Sequence, residues 1–288
     1  MTQSLFVFGA GYVGGAFARA MAGRGWRVSA TGRREDARAE LAAAGVSPAD
    51  PASADDLARA LADVDTVLIT AAPDEAGCPG LAALGPILRA AAKAPAWIGY
   101  LSTTGVYGDR AGAWVTEDSP LAPLSEPARR RAAAEADWRD VGAVIGAPVH
   151  LFRLPGIYGP GRSAFDRLRD GTARRVVRPG QVFSRIHRDD IVSALAASVA
   201  SGGAATTINL CDDEPCPPQD VIVFAAALLG VEPPPEVAYD EGAVSAASRR
   251  FYGESKRVSN ARAKAALGWR PMYPTYREGL AAVLARGG

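Results

Sequence analysis

The chain has 288 residues, 48% of them hydrophobic and 22% charged, a share of apolar residues that supplies a buried core and excludes a disordered chain. With 32 Lys and Arg against 31 Asp and Glu the net charge is +1, which argues against nucleic-acid binding. The scattered Cys78, Cys211 and Cys216 suit a reducing, cytoplasmic setting, and His150 and His187 as the only histidines leave no metal site to expect.

Met1-Thr2-Gln3-Ser4 runs straight into a short strand, so no signal peptide is expected. No apolar run reaches the roughly 18 residues of a membrane span. Compact apolar runs predict strands at Leu5–Phe8, Arg27–Ala30, Thr66–Ala71, Ala96–Leu101 and Val149–Leu154. Between them Tyr12–Arg24, Glu35–Ala44, Asp55–Ala62, Leu81–Ala94 and Glu126–Val144 read as helices. That alternation predicts a Rossmann-type, doubly wound α/β fold, a parallel sheet with helices on both faces. Beyond Leu154 come a Pro-Gly loop and an arginine-dense stretch from Arg162 to Arg188, then a helix near Asp190–Ala200 and a strand near Thr206–Leu210. Helices at Gln219–Leu229, Asn260–Leu267, stopped by Gly268, and Tyr276–Arg286 close the chain. At roughly 150 residues per domain this suggests two parts or one large α/β domain. The expected dinucleotide-binding domain is 1–160 with 187–210. The expected small C-terminal substrate lobe is 161–186 with 211–288, woven from segments that leave the sheet and return.

Leu5–Phe8 is followed by Gly9-Ala10-Gly11-Tyr12-Val13-Gly14, a G-x-G-x-x-G between a strand and a helix. Gly9 permits the tight turn, Gly11 lets backbone approach a pyrophosphate, and Gly14 lets the helix pack on the strand. Gly9, Gly11, Tyr12, Val13 and Gly14 are therefore expected at a dinucleotide, with the pyrophosphate at the helix N-terminus. Thr70, Ala71, Ala72 and Pro73, at and after the end of the Thr66–Ala71 strand, are expected to line the same ligand. The second strand ends Ala30-Thr31-Gly32-Arg33-Arg34 with no acid to accept from ribose hydroxyls. Two guanidiniums suit a 2′-phosphate, so Arg33 and Arg34 favour NADP(H), with NAD(H) the other option.

Further motifs follow in order: Leu101-Ser-Thr-Thr-Gly-Val-Tyr-Gly108, Phe152-Arg-Leu-Pro-Gly-Ile-Tyr-Gly-Pro160, Ser184-Arg-Ile-His-Arg-Asp-Asp190 and Leu267-Gly-Trp-Arg-Pro271. Together with the glycine loop they resemble the extended short-chain dehydrogenase/reductase family, its NAD-dependent epimerase/dehydratase group, over nearly the whole chain. The resemblance implies that Thr103 is the catalytic Ser/Thr, with Ser102 at the cofactor and Thr104 at the substrate. It places Leu154, Pro155 and Gly156 at the nicotinamide, and Tyr158 and Arg162 at the substrate. The family also uses Tyr-x-x-x-Lys on the helix after strand five. Aligned on Glu135, this chain has Pro127 for the tyrosine and Arg131 for the lysine, so the resemblance is to atypical members. Arg131 would still hold ribose, but a guanidinium relays no proton near neutral pH. Tyr107 is then the nearest phenol, read either as the replacement acid or as packing.

A literal Tyr-x-x-x-Lys at Tyr252–Lys256 reads as a surface turn leading into a strand. His187 reads as a structural residue beside Asp189 or Asp190, one of which would cap the next helix, and His150 as a core histidine. The arginine-dense stretch is either a solvated face or the entrance for an anionic substrate. Three functions follow: an NADP(H)-dependent oxidoreductase or epimerase/dehydratase-like enzyme for a small substrate, a non-catalytic NADP(H)-binding redox sensor or regulatory protein, or, disfavoured by the intact glycine loop, a structural partner with a vestigial site. Either a monomer or a homodimer fits the Ala-rich helices.

Overall fold

The computed structural model describes residues 3–240, 242, 249 and 251–287; the parts of the expected ranges 1–160 and 211–288 that fall elsewhere lie outside the described residues. Strand β1 (Ser4–Phe8) is buried along its length and leads through the glycine loop into helix α1 (Gly14–Ala22). Then come β2 (Arg27–Thr31), α2 (Glu35–Ala43), β3 (Ser47–Ala49), α3 (Ala54–Leu61), β4 (Thr66–Ile69), α4 (Pro79–Ala90) and β5 (Trp97–Thr103). A 3-10 turn (Thr104–Tyr107) and β6 (Trp114–Val115) precede α5 (Glu126–Ile145), β7 (Val149–Leu154), β8 (Gly156–Tyr158), α6 (Ala164–Arg169), β9 (Arg175–Val177) and β10 (Arg185–His187). The remainder is α7 (Arg188–Ser201), β11 (Thr207–Asn209), α8 (Pro218–Leu229), β12 (Glu236–Ala238), β13 (Arg257–Val258), α9 (Ala261–Leu267) and α10 (Tyr276–Ala285).

Seven strands form one parallel sheet in the order β11-β7-β5-β4-β1-β2-β3, with Leu5 beside both Val28 and Thr66. Side chains alternate between its faces. Phe6, Phe8, Val67, Ile69, Ile98, Tyr100 and Leu151 pack on one side against Leu57, Leu84, Leu88, Trp138 and Val141 of α3, α4 and α5. On the other side Trp97 stacks on His150 at 5.5 Å and donates to Ser198 of α7 at 3.1 Å. The expected doubly wound Rossmann-type architecture is therefore present. Strand β3 has no counterpart in the sequence pattern, because Ser47-Pro48-Ala49 has no apolar alternation. Its proline is tolerated because β3 is an edge.

The chain divides into two compact units. Unit 1 is Met1–Thr103, Glu126–Arg153 and Ile191–Ile208; unit 2 is Thr104–Ser125, Leu154–Asp190 and Asn209–Gly288. The division thus falls at Thr103 and Arg153, earlier than residue 160, and gives 104–125 to the second unit. Segment 108–113 is tied there: Arg110 and Gly112 both donate backbone N–H groups to the Ser255 carbonyl. Unit 2 has its own core of Phe165, Ala173, Cys216, Ile222, Ala225, Tyr276, Leu280 and Val283. Within the arginine-dense stretch helix α6 forms behind a capping box, Ser163 and Asp166 exchanging bonds with each other's backbone.

Candidate functional site

The glycine loop closes off β1 with its own hydrogen bonds. Gly9 N–H donates to the Thr31 hydroxyl at 2.8 Å, Ala10 N–H to the Thr31 carbonyl at 3.0 Å, and the Thr70 hydroxyl donates to the Gly9 carbonyl. Gly9 has φ +101°, a conformation that side chains disfavour. A Cβ at Gly14 would lie 2.4 Å from the Gly9 carbonyl oxygen, so that position is glycine for packing. At Gly11 a Cβ would meet no protein atom within 4 Å. Nothing inside the protein demands glycine there, and the space it leaves is what close approach of a pyrophosphate requires. Helix α1 begins with no side-chain cap and no acid in its first turn, which leaves its positive end for an anion. The loop fits a dinucleotide. Gly11 is exposed, Tyr12 half-buried and Val13 buried.

At the end of β2 three guanidiniums gather. Arg34 is paired with Asp36 at 2.9 Å, and Arg38 donates to the Gly32 carbonyl at 3.0 Å. Arg33 is exposed; its carbonyl accepts from Arg38 at 3.4 Å, but its guanidinium has no hydrogen-bonding or ionic partner among the described residues. Thr31 and Arg38 were not legible as site residues, since each serves the loop across a strand or a helical turn. Ala71, Ala72 and Pro73 follow Thr70 in the loop after β4, and a Cβ on Gly9 would come within 3.0 Å of Ala71 N.

The end of β5 is gripped by α5. Arg131 donates to the Leu101 carbonyl and lies 5.9 Å over the Tyr100 ring. One turn on, Glu135 is fully buried and accepts from the Ser102 hydroxyl at 2.6 Å. Arg153 of β7 forks onto the same carboxylate, at 3.0 and 2.7 Å. Ser102, expected at the cofactor, therefore spends its hydroxyl on Glu135. Thr103 ends the strand half-buried. Pro127 sits in the first turn of α5, where a missing N–H is harmless. Tyr100 is buried, and burial pushes its phenol far above the usual range.

In unit 2, Thr104 and Tyr107 are buried in the 3-10 turn. The Tyr107 hydroxyl donates to Asn209 Oδ1 at 2.7 Å, and Asn209 N–H donates to Glu117 at 2.8 Å, which makes Tyr107 a packing and anchoring residue. Tyr158 turns its hydroxyl to the Thr275 carbonyl at 3.4 Å and packs on Gly279; burial pushes its phenol above the usual range. Leu154 is buried, Pro155 half-buried and Gly156 exposed, while Arg162 closes a turn with Gly159 and is exposed. The expected cap on α7 is corrected. His187 Nδ1, not Asp189 or Asp190, accepts from the Asp189 N–H at 3.1 Å, and burial holds the imidazole neutral, near pKa 4. Asp190 accepts instead from Met272 and Tyr273 N–H at 2.6 and 3.3 Å, with burial pushing it up to about 7. Tyr252–Lys256 is structural but not the surface turn expected: Tyr252 and Lys256 are both buried, Lys256 between the Gly108 carbonyl and Glu254.

No helix among the described residues is long and apolar enough to cross a membrane, and no His/Cys/Asp/Glu group there would hold a metal. A functionally unknown conserved protein from Silicibacter pomeroyi is 46% identical, with 99% of each chain covered and a TM-score of 0.90. Protein YeeZ of Escherichia coli K12 is 27% identical over 259 residues, 81% of this chain and 86% of its own. A 3-diazoavenalumate denitrifying reductase of a Streptomyces species is 33% identical over 147 residues, 45% of each chain. The family model for the NAD dependent epimerase/dehydratase family matches residues 5–211. With its glycine loop and parallel sheet, the chain belongs to the NAD dependent epimerase/dehydratase family and so to the NAD(P)-dependent enzymes of that kind.

Proposed function

We propose that the chain is an NADP(H)-dependent oxidoreductase acting on a small, anionic substrate. The observation that carries this reading is Arg33, an exposed guanidinium without an internal partner at the end of β2, where a ribose 2′-phosphate would be recognised. Gly9, Gly11 and Gly14 with the N-terminus of α1 would hold the pyrophosphate, and Thr70–Pro73 would border it. A bound nicotinamide supplies or accepts hydride. The Thr103 hydroxyl, at the carboxyl end of β5, would orient a substrate oxygen.

Arg131 holds the end of β5 through the Leu101 carbonyl and moves no proton. Tyr107 has its hydroxyl proton on Asn209. Proton delivery therefore falls to water, and reduction of an already electrophilic substrate is favoured over chemistry that needs a strong base. The relative named as a reductase supports that direction. The second reading, a non-catalytic NADP(H) sensor, is favoured by Pro127 and Arg131 standing where a relay would be.

Gly11→Ala tests the site. Its Cβ meets no protein atom, so thermal stability should be unchanged while NADPH affinity falls roughly tenfold or more, the scale of one lost charge-assisted contact. Unchanged affinity in calorimetry would remove the pyrophosphate from this loop. Among enzymes that bind, NADPH oxidation against small carbonyl acids, lost in Thr103→Ala with NADPH affinity kept, separates enzyme from sensor.

A further inference from the structure

Unit 2 carries a group of rings that none of the chemistry above uses. Phe183 and Phe251 stack with centroids 3.9 Å apart and planes 12° from parallel. Tyr252 stands edge-on to both, at 6.3 and 5.1 Å, and Tyr239 tilts against Tyr252 at 5.0 Å. The stack reaches the surface, since Phe251 remains 46% exposed. An aromatic ring held in place by its neighbours yet left in water is a ready platform for another ring.

Guanidiniums border these rings. Arg178 lies 5.1 Å over the Tyr239 ring and donates to the Tyr252 carbonyl, which fixes its direction without neutralising it. Arg167 acts electrostatically on the Tyr252 phenol; loss of solvent and the like charge of Arg185 hold it below its ordinary range. Neither Arg167 nor Arg178 has a carboxylate at ion-pair distance among the described residues, Asp166 acting on Arg167 only from farther away, whereas nearby Arg175 is paired with Glu236 at 3.2 Å. An exposed aromatic ring beside two guanidiniums without an ion-paired carboxylate complements one kind of ligand: a flat ring bearing an anion. The ring would extend the Phe183–Phe251 stack, and a carboxylate would accept from the guanidinium fork.

We propose that this face of unit 2 binds an aryl carboxylate, with Phe251 under the ring and Arg178, aided by Arg167, on the carboxylate. This gives the anionic substrate of the proposed oxidoreductase a chemical class. Only its role as substrate rests on that reading; binding itself does not. A nucleoside diphosphate shares the ring-plus-anion chemistry, so the experiment separates the two.

Cinnamate, its neutral amide, cyclohexanepropionate and dTDP are titrated separately into the full chain by calorimetry, without dinucleotide. Cinnamate should bind, and the amide and the saturated acid should bind at least several-fold more weakly. Arg178→Gln should weaken cinnamate roughly 10- to 100-fold and Phe251→Ala roughly 2- to 10-fold. Arg178 is exposed, so its variant should melt with wild type; Phe251→Leu, which keeps an apolar side chain on Phe183, should melt close to wild type and still weaken cinnamate, which separates loss of the ring from loss of packing. Equal binding of cinnamate and its amide, indifference to both substitutions, or dTDP binding lost in these variants while cinnamate does not bind would each overturn the proposal. Failure of NADPH to bind would overturn the oxidoreductase reading and leave the cinnamate result standing.

Discussion

Glu135 has no access to water, so its charge is stable only while Arg153 and Ser102 stay on it. Removing one partner strands a buried charge, whereas removing both leaves a space that apolar side chains fill. Arg153→Met is expected to lower unfolding free energy by about 3–5 kcal/mol, and the Glu135→Met/Arg153→Met pair by far less, measured by urea melts. A double variant as unstable as the single one would show that the pair itself is stabilising. Individual residues were legible in the sequence only where local backbone sets their identity. Gly9 and Gly14 announce themselves by spacing, because the positive φ of Gly9 belongs to its own backbone and the nearest obstacle at Gly14 is the Gly9 carbonyl five residues before it. Glu135 did not, because its partners come from two strands 33 and 18 positions away. Tyr107 and Tyr158 were legible as motif members, but their hydroxyls turn inward to Asn209 and the Thr275 carbonyl, contacts set by chain returning from far downstream.

Among the elements, long periodic helices and buried central strands follow the sequence pattern closely. Helix α5 begins at Glu126 as expected, with Pro127 inside its first turn. Strands of two or three residues, such as β6, β8 and β13, were illegible because so short a run carries no alternation. Strand β7 shows what a central strand demands of its residues. His150, inside it, is 1% exposed, stacks on Trp97 and has no hydrogen-bond partner on either nitrogen. Burial pushes its pKa from 6.5 down to about 4. The unfolded chain therefore binds the proton first, so stability is lost as pH falls from about 6.5 toward 4. Between pH 8 and pH 5 the wild type should lose about 2 kcal/mol more than His150→Leu, by chemical denaturation at each pH. Parallel pH curves for the two proteins would show that the imidazole is not buried neutral.

At the scale of the whole molecule, the order of strands and helices brings the proposed dinucleotide site together: β1, β2 and β4 lie side by side, and the loops at their carboxyl ends carry Gly9–Gly14, Arg33 and Thr70. That convergence was legible because each strand ends in its own signal. The composition of unit 2 was not, since its core is assembled from three stretches of chain with no shared periodicity. Family membership gives the chain a nicotinamide-dinucleotide chemistry, and the choice between NADPH and NADH is proposed to rest on Arg33. The most direct measurement is calorimetric titration of NADPH and NADH into cofactor-stripped wild type and Arg33→Ala. Wild type should hold NADPH more tightly than NADH, and the substitution should cost NADPH roughly 10- to 100-fold while leaving NADH unchanged. Equal losses for both dinucleotides, or no binding of either to wild type, would contradict the assignment.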